Sequence, residues 1–293
     1  MKKLIKYGIG LALTAIIGIG AHIFYLYSLR PTEKFPEDTY LKSVTKKTAL
    51  IIVAHDDDAT LFSGTTSMLA ATGWDISFVC FYTDLYKPEV NPIRKQEMQN
   101  IQEIEGLKNL ELIDFRLRRR LDTVKKGYLP IPYDEFSENF EIDSLRMYIF
   151  QAIEKYQPTI VFTLDDVIGF YGNPEHVLVS QTVVNICREY KDSTDFSVKR
   201  IYQCVWPYSQ AEKIMKNIPT YHKGKKIYVC DGMPAPDVEI DISSFGSTKK
   251  KVLAAHASQH NNIKRYIKYY HYYPAWLYFS IFNKEYYKVT SVD

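Results

Sequence analysis

TALIIVA (48–54), DISFVCFYT (75–83), LELIDF (110–115) and PTIVFTL (158–164) are short apolar runs rich in β-branched and aromatic residues. Between and after them lie longer stretches with helical periodicity, at about 61–71, 93–107, 142–156 and 175–190. A strand buried on both faces reads as a near-continuous apolar run. Strands that alternate with helices build a parallel sheet between two helical layers. Further strands near 200–205 and 227–230 and a helix at 244–258 continue the pattern. The expected fold is α/β: a Rossmann-like, mostly parallel sheet with helices on both faces.

Ahead of this unit the sequence changes character. Lys2, Lys3 and Lys6 precede a charge-free stretch, Tyr7–Leu29. As a helix it would be about 35 Å long, enough to cross a hydrocarbon core of about 30 Å with some tilt. A cleaved signal peptide with Gly18 and Gly20 before the cut is the rival reading. The apolar run continues past Gly20 into Phe24-Tyr25-Leu26-Tyr27, an interfacial aromatic belt, which favours one uncleaved transmembrane helix. The leading lysines favour an extracytoplasmic domain, although Arg30, Lys34, Lys42, Lys46 and Lys47 weaken the asymmetry. The expected division is an anchor at 1–30, a Pro-containing tether at 31–46 and one domain at 47–293.

Composition removes some function classes. Lys+Arg 37 against Asp+Glu 34 leaves a net charge of +3, which excludes nucleic acid as the expected partner. Cys80, Cys187, Cys204 and Cys230 have no CxxC spacing, and Cys80 reads as a core thiol. The 24 tyrosines suit work against sugars or a membrane surface, or reflect compositional drift.

In open α/β sheets ligands bind beyond the carboxyl ends of strands. The first strand ends in His55-Asp56-Asp57-Asp58, and the fourth is followed by Tyr171-Gly172-Asn173-Pro174-Glu175-His176. Adjacent carboxylates repel unless a cation neutralises them. The plainer reading is a helix N-cap by Asp58 or Thr60. His55, Asp58 and His176 make a two-His, one-carboxylate set that leaves a position open for water, as catalytic zinc sites do. Asp57 is then a spare carboxylate able to take a proton as general base. A non-haem Fe(II) oxygenase would use similar ligands, His55 and Asp57 with a distant histidine, but typically on an all-β barrel.

These motifs resemble the PIG-L/LmbE-like zinc-dependent N-acetylglucosaminyl deacetylases. Ala54-His55-Asp56-Asp57-Asp58-Ala59 stands for the family's A-H-P-D-D-E, and Tyr171–His176 for Y-G-H-P-D-H. Thr83-Asp84, Arg94 with Glu97, His256-Ala257-Ser258-Gln259 and Glu285-Tyr286-Tyr287 follow the family's order from about 48 to 289. The resemblance implies Zn2+ on His55, Asp58 and His176, Asp57 as base, and Tyr171 polarising the amide carbonyl of an N-acetylated amino-sugar glycoconjugate. Arg94 would bind an anionic substrate group, or else pair with Glu97. Asp56 replaces proline, Ala59 replaces glutamate and Glu175 replaces aspartate.

Asn173 replaces a histidine beside the metal; it can donate a hydrogen bond but carries no proton to shuttle. His256 is then the candidate to assist the leaving amine. The alternative is a weak or inactive relative that binds glycan at the membrane.

Other residues carry two readings each. Arg116, Arg118, Arg119, Arg120, Lys125 and Lys126 form a solvated face or an anion contact. Asp165 and Asp166 support His176 or cap a turn. His222, His260 and His271 read as surface or packed residues. The aromatic tail Tyr266–Phe282 is core packing, a sugar-stacking wall or a patch against the bilayer.

Overall fold

The computed structural model describes residues 2–81, 88–119 and 129–292. Thr83, Asp84, Arg120, Lys125 and Lys126 lie outside the described residues. Among the described residues seven strands form one sheet: β1 (Thr48–Val53), β2 (Asp75–Cys80), β3 (Asn109–Leu112), β4 (Ile160–Leu164), β5 (Arg200–Val205), β6 (Val238–Asp241) and β7 (Lys284–Ser291). Their order is β3-β2-β1-β4-β5-β7-β6. The first five run parallel, and β7 runs antiparallel to both β5 and β6. Ala49–Val53 are all buried, which is why β1 reads as unbroken apolar sequence.

Helices Ser63–Ala71 and Asn91–Glu105 pack with Gly246–Ala255, whereas Ile142–Tyr156 packs with Pro174–Tyr190 against β1. The expected α/β layering is thus present. The chain leaves β1 for β2 on one side and approaches β4 from the other. The carboxyl ends of β1 and β4 therefore flank the point where strand order reverses, the usual ligand crevice of such sheets.

Two expectations need correction. No strand covers 227–230: Pro219–Ile227 is a helix, and Tyr228 and Cys230 donate backbone hydrogen bonds back to Gly224 and Lys225. Pro219 at the first helical turn starts that helix, which overrides the short apolar run IYVC. The sixth strand lies later, at Val238–Asp241, and the sheet ends in an antiparallel pair through β7, which the periodicity did not single out. The long 244–258 helix is also divided, ending as an α-helix at Ala255 with a 3-10 turn at Ala257–Gln259.

The N-terminal helix spans Lys2–Ser28, and its Lys6–Ser28 part is long and apolar enough to cross a membrane. Its last turn packs into the domain, with Leu26 and Leu29 in the core. Residues 36–38 lie along β6: Asp38 donates its N–H to the Glu239 carbonyl, and Glu239 donates to that of Pro36. The Tyr202 hydroxyl donates to Asp38 Oδ2 at 2.7 Å, so this stretch is held against the sheet.

Candidate metal and catalytic site

After β1 the chain turns at His55 into a 3-10 helix, Asp56–Leu61. Capping and ligation were alternatives for Asp58; in the structure its two oxygens do different work. Oδ2 accepts the His55 backbone N–H at 2.9 Å, and Oδ1 lies 3.0 Å from His176 Nε2. His55 Nδ1 is 2.9 Å from that same His176 nitrogen. His55, Asp58 and His176 each offer a ligand atom, all within 4.8 Å of one another.

The other nitrogen of each imidazole is held. His176 Nδ1 faces the Gly169 carbonyl at 3.1 Å, and His55 Nε2 meets Glu175 Oε2 at 2.7 Å. Arg118 Nε donates to the other Glu175 oxygen at 2.6 Å. Metal-ligating histidines are oriented in this manner, through a carbonyl or carboxylate on the remote nitrogen. Neither Glu175 nor Arg118 was assigned such a role from sequence. The available signals were Glu175 next to His176 and Arg118 inside the basic cluster.

Electrostatics also favour a cation here. Burial opposes charge on His55, but Asp58 and then Glu175 outweigh it and lift the imidazole pKa to about 10. Burial likewise opposes ionisation of Asp58, yet His176 and His55 hold it well below the usual carboxylate range. A proton on His55 thus sits where positive charge is favoured, and two nitrogens with one oxygen suit a borderline-soft divalent ion. The residues fit the group.

Asp57 stands beside this set. Burial, then the Asp58 charge, raises its carboxyl above the usual carboxylate range. Tyr171 packs edge-on to His176 at 5.1 Å and stacks on Tyr266 at 4.9 Å. Burial and then Tyr266 keep its phenol protonated. The Asn173 Oδ1 accepts the Glu175 N–H at 2.9 Å as N-cap of Pro174–Tyr190, while Nδ2 donates to the Tyr171 hydroxyl at 3.3 Å.

The turn that delivers Tyr171 and His176 is built by Asp165. Its oxygens accept the N–H groups of Val167, Ile168, Gly169 and Phe170 at 2.5–3.1 Å. It therefore reaches His176 through the Gly169 carbonyl, while Asp166 accepts from Gln203 instead. Gly172 has φ +93°, and a Cβ there would sit 2.4 Å from the Thr220 carbonyl oxygen, so only glycine fits.

Arg94 and His256 are both buried beside this set. Arg94 is buried and paired with Asp56 through Nε at 2.8 Å and a second, shorter contact, and its Nη2 reaches Asp57 at 3.4 Å. The guanidinium thus lies against the carboxylates of the His55–Asp58 loop, and Arg94 and Asp56 line one cavity together with Pro88, Asn91 and Asp114. Glu97, its alternative partner, instead accepts from the Ser258 N–H and hydroxyl at 2.8 and 2.7 Å. This explains Asp56 in place of proline: it supplies the carboxylate that Arg94 meets.

His256 is fully buried, and among the described residues neither ring nitrogen has a hydrogen-bond partner. Burial, then Arg94, pushes its pKa down to about 3, so the ring is neutral at physiological pH.

Residues 50–187 match the family model PIG-L, GlcNAc-PI de-N-acetylase. The chain carries a PIG-L domain. Within the matched PIG-L segment lie His55, Asp57, Asp58, Tyr171, Asn173 and His176, whereas His256 and Glu285 follow it. Among solved structures the chain is similar to N,N'-diacetylchitobiose deacetylase from Pyrococcus horikoshii, with 17% identity, 84% of each chain covered and a TM-score of 0.53. It is similar to the conserved protein TT1542 from Thermus thermophilus, at 16% identity over 83% of this chain and 94% of that one, TM-score 0.50. The A40926 pseudoaglycone deacetylase matches at 14% identity over 85% and 99%, TM-score 0.50. At such identities these three likenesses describe the fold around the PIG-L domain. No curated protein matches the chain by sequence.

Proposed function

We propose that this chain is a zinc-dependent N-deacetylase that hydrolyses the acetamide of an N-acetylglucosamine-type sugar in a glycoconjugate. The observation that carries it is the convergence of His55, Asp58 and His176 beside a base and a phenol within a PIG-L domain. His55, Asp58 and His176 would hold the ion, which when bound acts as a Lewis acid and lowers the pKa of water to about 7.

Asp57 takes the proton of the attacking water at its carboxylate. The water oxygen bonds to the acetyl carbon, and the Tyr171 hydroxyl donates to the carbonyl oxygen as charge develops there. Asn173 orients that hydroxyl by donating to its oxygen, which leaves the phenolic proton for substrate. The C–N bond then breaks, acetate leaves, and the proton held on Asp57 returns to the amine nitrogen. This route needs no proton from Asn173 or His256. Residues 47–293 form the catalytic unit, and the 1–30 segment is a single-pass anchor that holds it on the extracytoplasmic side.

Asn173 also motivates a second reading, a glycan-binding relative without turnover. Acetate release from a panel of N-acetylglucosamine conjugates, with zinc occupancy measured in parallel, separates the two. We expect release that Asp58→Ala and His176→Ala abolish together with bound zinc. Unchanged zinc in both variants overturns the ligand set, and zinc-loaded protein without acetate release overturns the activity.

A further inference from the structure

Tyr7–Ala21 of the N-terminal helix are exposed throughout, whereas His22, Ile23, Leu26 and Leu29 turn one face onto the domain. The free part spans only about 22 Å, short of a hydrocarbon core of about 30 Å. If the helix crosses a bilayer, the next turn and a half, His22–Leu26, supplies the remaining 8 Å or so. That turn is the one already packed against the aromatic tail. The His22 ring meets the edge of Tyr269 at 4.7 Å and stacks on Tyr273 at 5.6 Å, with Nδ1 on the Tyr273 hydroxyl at 2.5 Å. Beside these contacts the domain exposes Tyr272 (70%) and Trp276 (74%).

We propose that the segment Tyr269–Trp276 is a docking surface for the phospholipid interface, seating the domain flush on the bilayer through Tyr272 and Trp276. The inference rests on the anchor reading of the N-terminal helix and is independent of the deacetylase chemistry. Tyrosine and tryptophan favour this zone because an apolar ring and a polar tip are both satisfied there. The same chain stretch begins at Tyr266, stacked on Tyr171. Docking therefore fixes the height of the candidate active site above the lipid.

The test uses full-length protein in phosphatidylcholine vesicles containing brominated acyl chains, which quench tryptophan on contact. Trp74 is buried and Trp206 half-buried, so Trp276 is the exposed reporter. We expect wild-type emission to be quenched and the quenching to be lost in Trp276→Phe. Leu11→Trp in the Trp276→Phe background reports insertion of the helix itself. Quenching at position 11 with none attributable to Trp276 overturns the docking surface and leaves the anchor standing. No quenching at either position overturns both.

Discussion

Glu175 and His55 share a hydrogen bond of 2.7 Å on the side of the imidazole that faces away from Asp58 and His176, and Arg118 holds the far oxygen of Glu175. The carboxylate thereby fixes which His55 nitrogen faces Asp58 and His176. Glu175→Ala is expected to lower zinc affinity about 10–100-fold, and Glu175→Gln by less, since the amide keeps an acceptor oxygen. Competition against a chelator of known affinity measures both. Equal affinity in Glu175→Ala and wild type would show that the contact does not orient the ligand.

Asp57 is not counted among the ligand atoms, so its loss should separate chemistry from metal binding. Asp57→Asn is expected to reduce kcat about 10²–10⁴-fold while zinc content stays at the wild-type level. Metal analysis on the same preparation as the acetate assay decides it. Loss of zinc in this variant would move Asp57 into the ligand set.

Arg94 forms a buried ion pair with Asp56 of the loop after β1. Removing one partner of such a pair costs about 3–5 kcal/mol, because a buried charge loses its counter-ion. Asp56→Ala should therefore lower Tm by roughly 10 °C. Asp56→Ala with Arg94→Met should lose less than the sum of the two single variants. Thermal unfolding in detergent checks this, and strict additivity would remove the coupling.

Glu105 is buried against Thr66, whose hydroxyl donates to it at 2.7 Å. Burial pushes its carboxyl up to about 8. The unfolded chain ionises this group near pH 4.5, whereas the folded chain keeps it neutral until about pH 8. Its contribution to stability is therefore complete below pH 4.5, is lost as pH rises to 8, and is level beyond. Each pH unit inside that window costs up to about 1.4 kcal/mol. Glu105→Gln should flatten the fall of Tm between pH 5 and 8, and an unchanged slope would show the glutamate ionised in the fold.

The two motifs after β1 and β4 were legible because chemistry had to sit at strand ends, and strand ends are visible wherever an apolar run stops. The parallel sheet was legible for the same reason: strands buried on both faces leave an unbroken apolar trace. Glu285 was visible as a motif residue but not as a cap. Its carboxylate accepts the N–H groups of Gly64 and Thr65 at 2.9 and 2.8 Å, at the start of the helix after the His55–Asp58 loop. That link crosses more than 200 residues, which no local pattern encodes.

The sequence alone determined the alternation of strands and helices, the apolar N-terminal segment and the residue types at the ends of β1 and β4. Those follow from local periodicity and from side-chain chemistry that does not depend on neighbours. Only the tertiary structure decided that Arg94 serves Asp56, that Glu175 rather than Asp165 grips a histidine, and that β7 closes the sheet antiparallel. It also decided that the aromatic tail packs on His22. Each is a choice among partners distant in the chain, made by burial: a charge or ring removed from water takes whichever complement the fold brings within reach.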